Sequence, residues 1–429
     1  MTSPLLPAAA AQRPLTRALA ARLPAALRDA RARSLALVTD LGDAQWLGPR
    51  LGIVNPILWE LGHLGWFQEF WTLRHARGQP PLLPQGDALY DSARVAHDTR
   101  WDLPLLPRAE VLRYLDEVLR RALAGELTYF HELALQHEDM HGEALLYTRQ
   151  TLSYPAPPLA TQPAPGAGPL PGDVEVPGGR FLLGATPGAP FVFDNEKWAH
   201  PVEVATFRIA RAPVTNEQLL EFVEAGGYRE ERFWSRDGWR WRSAAQAEHP
   251  VYWTRNDGGR FTERQFQAQV PLSPHRPAIH LCWYEAEAFC RWAGRRLPTE
   301  AEWELAAATP GKRTFPWGEA PPDARTANLD GAAGWTVDVA AHPEGDSACG
   351  CRQLIGNVWE WTASDFQPYP GFVVDPYKEY SAPWFSSPHK VLRGGCWATR
   401  ARLLRNTWRN FYPPDRRDVL AGFRTCALG

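Results

Sequence analysis

Methionine is almost missing from this chain: of 429 residues only Met1 and Met140 are methionine. Long apolar runs are missing too. No stretch of about 20 apolar residues exists, so no membrane-spanning helix is expected. The opening "MTSPLLPAAAAQRPLTRALAARL" has no apolar core behind a basic tip, so no export signal is read and a cytoplasmic location is expected. Charge excess is absent: 46 Lys and Arg face 48 Asp and Glu, and a formal net charge of -2 argues against nucleic-acid or anionic-membrane partners. None of the six cysteines (Cys282, Cys290, Cys349, Cys351, Cys396, Cys426) forms a CxxC pair, and with no export signal they are expected to be reduced, mostly buried thiols. No fixed-period repeat is seen.

What is present is an ordinary globular composition with 20 tryptophans, an excess that suggests aromatic-walled pockets or a loop-rich aromatic core. The length predicts two or three domains. Residues 1–153 read as helical. "LTRALAARLPAALRDARARSLALVTDL", "NPILWELGHLGWFQEFWTLRHA", "RAEVLRYLDEVLRRALAGEL" and "LTYFHELALQHEDMHGEALLYTRQTL" carry apolar residues at three- and four-residue spacing. Four such runs predict a four-helix bundle. Residues 154–173, "YPAPPLATQPAPGAGPLPGD", form a Pro/Ala/Gly linker. From 174 to 429 short β-like runs ("RFLLGA", "VEVATFRIA", "KVLRGGCW") alternate with turns and two short helices ("TNEQLLEFVEAG", "WYEAEAFCRWAG"), an irregular α+β domain.

His137 and His141 are one helical turn apart on one face, a spacing that a single metal ion can bridge. His63 in "WELGHLGWF" is the candidate third ligand from a facing helix. Three imidazoles suit several divalent metals and do not choose between zinc and iron. Glu143, Glu138 and Asp139 point off the histidine face, and His131 and His75 read as solvated or capping residues. Helical geometry puts Met140 about 60° to one side of His137 and His141 about 40° to the other, so Met140 borders the metal face, where gap-filling between helices is an equally good reading.

The second half carries longer motifs: "RAPVTNEQLLEFVEAGGY", "WYEAEAFCRWAGRRLPTEAEWELAAAT", "FPWGE", "LIGNVWEWTASDF", "VLRGGCW" and "AGFR". Over residues 175–427 these resemble the formylglycine-generating-enzyme-like (sulfatase-modifying-factor) domain, a C-type-lectin-like α+β fold. The first half resembles a DinB-like helical bundle. Bundle first and lectin-like domain second is the order of the ergothioneine-type sulfoxide synthases. That resemblance implies a non-haem iron enzyme that uses oxygen to join a chalcogen donor to the imidazole C2 of hercynine, with His63, His137 and His141 as Fe(II) ligands. A formylglycine-generating role is not expected, because Cys396 and Cys426 lack an obvious paired spacing.

Three departures bear on the donor. Met140 stands where the family typically has a glutamine that touches the hercynine imidazole. Asp91-Ser92-Ala93-Arg94 replaces the "NSYY" run that precedes the arginines gripping γ-glutamylcysteine, although Arg94 and Arg100 could still clamp a carboxylate. Tyr412 falls where γ-glutamylcysteine users tend to have an aspartate, while Asn410 matches the asparagine expected at the hercynine end and Arg416 is kept. Together they most resemble the selenoneine-synthase branch, which implies a selenosugar donor and a C–Se bond. The alternative is a C–S bond to cysteine or γ-glutamylcysteine. Trp59 and Phe411 are the expected aromatic contacts. A tyrosine assisting oxygen chemistry is sought among Tyr369, Tyr377 and Tyr412, of which Tyr377 and Tyr412 are the favoured pair. Rival readings are a non-catalytic lectin-like module with a zinc-stapled bundle and a zinc-dependent thiol transferase; neither would consume oxygen.

Overall fold

Proline and capping residues set where the helices of the first half begin. In the computed structural model, which describes residues 15–162, 166–189 and 191–429, the chain divides into two compact units, Met1–Leu159 and Ala160–Gly429. In the first unit, helix α1 (Arg17–Ala36) starts at Thr16, whose hydroxyl accepts from the Leu19 amide at 3.3 Å. The short α2 (Asp43–Leu47) follows. Pro56 precedes α3 (Ile57–Glu69), and Pro107 precedes α5 (Arg108–Leu123), with the short α4 (Gly86–Tyr90) between them. Helix α6 (Tyr129–Thr151) opens with the Thr128 amide donating to His131 Nδ1 at 3.1 Å. His131 is therefore a capping residue, as expected, but it is fully buried rather than solvated.

The four long helices α1, α3, α5 and α6 form the expected bundle, with α6 packed on α1 and α3, and α3 on α5. Leu23, Leu27 and Ala30 of α1 meet Leu135 of α6 in its core. Helix α3 is buried on nearly every face. Its Gly62 and Gly65 let the rings of Tyr90 and Tyr114 close against it; a Cβ at either position would collide with those rings. After Glu69 the helix continues as a wider π-type turn, Phe70–His75. The bundle also buries an Arg31–Glu138 ion pair at 2.8 Å, so Glu138 is a structural partner. No helix among the described residues is long and apolar enough to cross a membrane.

The second unit has two four-stranded sheets. One runs β1 (Asp173–Val176), β4 (Phe207–Ala210), β13 (Cys426–Ala427), β8 (Arg295–Arg296); the other runs β11 (Asn410–Tyr412), β10 (Lys390–Arg393), β9 (Trp359–Asp365), β12 (Ala421–Gly422). Two smaller sheets pair β2 (Gly179–Leu183) with β3 (His200–Val204), and β5 (Trp253–Arg255) with β6 (Phe261–Gln265) and β7 (Ala268–Pro271). The run "VEVATFRIA", read as one strand, breaks at Ala205–Thr206 into β3 and β4, which belong to different sheets. Among the described residues four α-helices are present, not two. Besides α7 (Asn216–Glu224) and α9 (Trp283–Trp292) there are α8 (Arg236–Ala244) and α10 (Glu300–Ala308). The last is capped by Thr299, whose hydroxyl accepts from the Glu302 amide at 3.2 Å while its own amide donates to the Glu302 carboxylate at 2.7 Å.

Much of the tryptophan excess is core: Trp303, Trp359, Trp361 and Trp397 are almost wholly buried. Charged groups are buried among them in pairs. Arg424 grips Glu360 through two 2.7 Å contacts, and Trp303 Nε1 donates to the same carboxylate at 2.8 Å.

Candidate metal centre

His63 lies on α3, and His137 and His141 lie one turn apart on α6. His63 Nδ1 donates to the Tyr90 carbonyl at 2.7 Å. That hydrogen bond places the proton on Nδ1 and leaves Nε2 with its lone pair. His141 Nδ1 donates to the carboxylate of Glu60, which fixes the same tautomer. The freed nitrogens converge: His63 Nε2 is 3.3 Å and His141 Nε2 is 3.1 Å from His137 Nε2. The unprotonated Nε2 atoms of His63 and His141 face each other across His137 and gain nothing from each other. A divalent metal about 2.0–2.1 Å from each nitrogen would separate them by about 3.0–3.4 Å, depending on the bond angle. The donor set therefore fits such an ion, and all three ligand atoms lie within 4.8 Å of one another.

The rings are held from behind. Phe67 stacks on His137 with centroids 3.5 Å apart, and Trp59 stacks on His63 at 4.9 Å. Burial pushes the His63 imidazolium down to about 3, helped by the His141 and Arg100 charges, and burial drives His137 well below its usual range. Both rings are thus neutral at pH 7. Burial alone would raise Glu60, but a protonated His141, through its charge and its hydrogen bond, would outweigh it together with His63 and Asn55 and hold the carboxyl at about 2. Asn55 Nδ2 donates to Glu60 at 2.6 Å, and Arg100 Nη1 donates to Asn55 Oδ1 at 2.5 Å. Arg100 also lies 3.7 Å over the Trp59 ring. An ordered chain thus runs from Arg100 through Asn55 and Glu60 to His141.

Over residues 160–427 the chain matches the sulfatase-modifying factor enzyme 1-like domain, and over residues 26–145 the DinB superfamily. It is 39% identical over 417 residues to the hercynine oxygenase of Mycolicibacterium smegmatis, covering 92% of this chain and 96% of that protein. This chain belongs to the hercynine oxygenase family. A second hercynine oxygenase, from Mycolicibacterium thermoresistibile, is 40% identical over 432 residues, covering 94% of each protein. The formylglycine-generating enzyme of Streptomyces coelicolor is 32% identical over 312 residues, but covers only 64% of this chain. The hercynine oxygenase family match thus spans both units, and the matched DinB region contains all three histidines.

Among the other expected site residues of this hercynine oxygenase family member, the first unit brings Trp59 and Arg100 next to the histidines. Met140 is half-buried, one residue before His141. Arg94 stands apart, with a side chain 68% exposed and 3.0 Å from Asp91. In the second unit Asn410, Phe411 and Tyr412 form the edge strand β11, all half-buried. Asn410 Oδ1 accepts from the Phe411 amide at 2.8 Å, and Phe411 stacks on Phe366 at 3.9 Å. Arg416 lies 5.3 Å over the Tyr412 ring and 2.6 Å from Asp418. Tyr377 is half-buried beside Tyr380, with ring centroids 6.0 Å apart. Tyr369 is different: it is buried, donates to Glu300 at 3.1 Å, and carries Arg409 over its ring at 4.2 Å, a structural placement. Sequence reasoning passed over Glu60, Asn55 and Tyr90. Glu60 had a usable signal, because it precedes His63 by three residues and so shares its helix face.

Proposed function

We propose that this chain is an iron(II)- and oxygen-dependent enzyme that joins the sulfur of cysteine or γ-glutamylcysteine to the imidazole C2 of hercynine, releasing a sulfoxide. The observation that carries the reading is the convergence of three Nε2 atoms, with the tautomers of His63 and His141 fixed by their Nδ1 hydrogen bonds, in a chain similar to hercynine oxygenases along nearly its whole length. The relatives support this thiol alternative over the selenosugar expectation, which rests only on the departures at Met140, around Arg94 and at Tyr412.

The balance is simple. Hercynine loses the C2 hydrogen, the thiol loses its hydrogen, a C–S bond forms, one oxygen atom ends on sulfur and the other leaves as water. Bound iron(II) supplies oxygen activation and a common template for the two substrates. The protein supplies neutral nitrogen ligands, a dry aromatic wall of Trp59 and Phe67, and cations for carboxylates. Arg100 is engaged with Asn55 and Trp59, which leaves Arg94, on the surface, as the arginine able to swing onto a donor carboxylate. Asn410 and Phe411 are proposed to hold hercynine, Arg416 to complete the carboxylate contacts, and Tyr377 or Tyr412 to deliver a proton as oxygen is reduced.

The test is a competition. Iron(II)-loaded protein receives hercynine, oxygen and equal amounts of cysteine, γ-glutamylcysteine and a selenosugar, and mass spectrometry reports the adduct. A dominant sulfoxide supports the reading. A dominant selenium adduct overturns the donor and restores the selenoneine-type reading. No oxygen uptake and no adduct overturns the activity altogether.

A further inference from the structure

Five of the six cysteines are buried, and four of them lie singly along the sequence. Cys349 and Cys351 differ: they flank Gly350 in a tight turn, and their sulfurs are 3.7 Å apart. The turn is closed by backbone hydrogen bonds from Ser347 N to Cys351 O and from Gly350 N to Ser347 O, both 2.8 Å. Gly350 has φ of +90°, which a side-chain-bearing residue rarely adopts, so this bend depends on glycine. Ser347 Oγ lies 3.1 Å from Cys349 Sγ and accepts from the Cys351 amide at 3.2 Å. Cys349 Sγ also lies 3.3 Å from the Ala306 carbonyl near the end of α10. Cys349 is half-buried, so a small reagent can reach it, while Cys351 is fully buried behind it.

From this geometry we infer that Cys349 and Cys351 form a reactive dithiol, separate from the histidine centre, which hydroperoxides convert to an intramolecular disulfide. The sulfurs must close from 3.7 Å to about 2.05 Å, a movement available to side-chain rotation in a turn that already holds them together. In the first step the Cys349 thiolate attacks the O–O bond of the hydroperoxide. An S–O bond forms, the O–O bond breaks, the peroxide is reduced to an alcohol or water, and Cys349 becomes a sulfenic acid. In the second step Cys351 attacks that sulfur; the S–S bond forms, the S–O bond breaks, and hydroxide leaves with the Cys351 proton as water. Two thiols and one hydroperoxide thus give one disulfide, one water and one alcohol or second water.

The order of attack follows from the surroundings. The Cys351 thiol faces Cys349, and that hydrogen bond, together with Ser347 and the Arg424 charge, outweighs burial and brings the Cys349 thiol down to about 6. Burial instead raises Cys282, Cys290 and Cys426, the last to about 12. The thiolate is the reactive form, so attack is directed to Cys349.

The experiment uses the reduced full chain. One equivalent of hydrogen peroxide is added at neutral pH, remaining thiols are alkylated under denaturing conditions, and peptides are mapped. The expected result is an unalkylated peptide containing residues 349–351, lighter by two hydrogens, with the other four cysteines alkylated. Cys349→Ser slows peroxide consumption at least about tenfold, and Cys351→Ser leaves a dimedone-reactive sulfenic acid at Cys349. The inference is overturned if Cys349 proceeds to sulfinic acid while Cys351 stays alkylated, if another cysteine oxidises first, or if both thiols survive. The wild-type map decides the matter even where the buried Cys351 variant folds poorly.

Discussion

Glu60 and His141 come from different helices of the bundle, yet the Glu60 carboxylate takes the Nδ1–H of His141 and so aims its Nε2 at His137. The carboxylate sits on the same helix as His63, so one residue ties together the two helices that carry the three histidines. Replacing Glu60 with Gln keeps the shape but removes the charge. The expected outcome is roughly 10–100-fold weaker metal binding, measured by chelator competition with iron(II) or zinc(II). Equal affinity in the variant and the parent would show that Glu60 does not orient the ligand.

Metal should also stabilise the bundle. A ligand that binds only the folded state adds stability as its concentration exceeds its Kd, about 2.7 kcal/mol at a hundredfold excess. Calorimetry with and without chelator should therefore show a lower melting transition in the stripped protein. In His63→Ala that difference should vanish. A chelator-induced shift of the same size in His63→Ala would place the metal elsewhere.

Gly62 is the position where α3 accepts the Tyr90 ring, whose backbone carbonyl holds His63 Nδ1. Gly62→Ala improves intrinsic helix propensity by about 1 kcal/mol, yet the new methyl must displace the ring. Overpacking of this kind costs about 1–3 kcal/mol, and the net effect expected is destabilisation together with weaker metal affinity. Denaturant melts and metal titration on the same variant check both parts.

Met140 precedes His141 and is half-buried. If it lines the substrate site, Met140→Gln introduces a hydrogen-bonding amide beside the imidazole ligands. One such bond is worth about 0.5–1.5 kcal/mol, so the hercynine KM should change about 2–12-fold. Unchanged kinetics for both substrates would make Met140 a packing residue.

In the second unit, burial raises the Asp194 carboxyl to about 6; Ser381 donates to it, Asp375 pushes it further up, and Lys197 draws it down. Its ordinary value is 3.8, so between pH 4 and about 6 the folded state holds a proton that the unfolded state has lost. Stability from this group is full below pH 4 and is lost as pH rises through 6. The loss is on the order of 2–3 kcal/mol. Asp194→Asn should flatten that part of the stability profile, as measured by denaturant unfolding from pH 4 to 7.

The bundle was readable because its signals are local. Apolar spacing marked α1, α3, α5 and α6, and the His137–His141 interval together with His63 marked the three histidines that the structure brings together. The second unit was harder, because its order is non-local. Nothing within "VEVATFRIA" says that Val204 and Phe207 go to different sheets; that is decided by β2 and β1, which claim the two halves. Helix α10 was missed although Thr299 and Glu302 form a capping box, because Glu300, Glu302 and Glu304 fall at every second position and are buried with the apolar residues, which hides the helical period. Helix α8 and the β5–β7 sheet were missed as well, the first rich in arginine and tryptophan, the second short-stranded. Cys349 and Cys351 escaped a search tuned to CxxC, and only the turn at Gly350 shows that the shorter interval brings the sulfurs together.

Helix α3 carries two glycines within four residues and has almost no exposed face. By itself it is a poor helix, since each interior glycine costs about 1 kcal/mol relative to alanine. Its order is borrowed from Tyr90, Tyr114 and the neighbouring helices. During folding, then, His63 reaches its partners only once the bundle has closed, whereas His137 and His141 are already in register on α6. The placement of His63 is therefore a property of the assembled bundle, whereas the one-turn interval between His137 and His141 is a property of α6 alone.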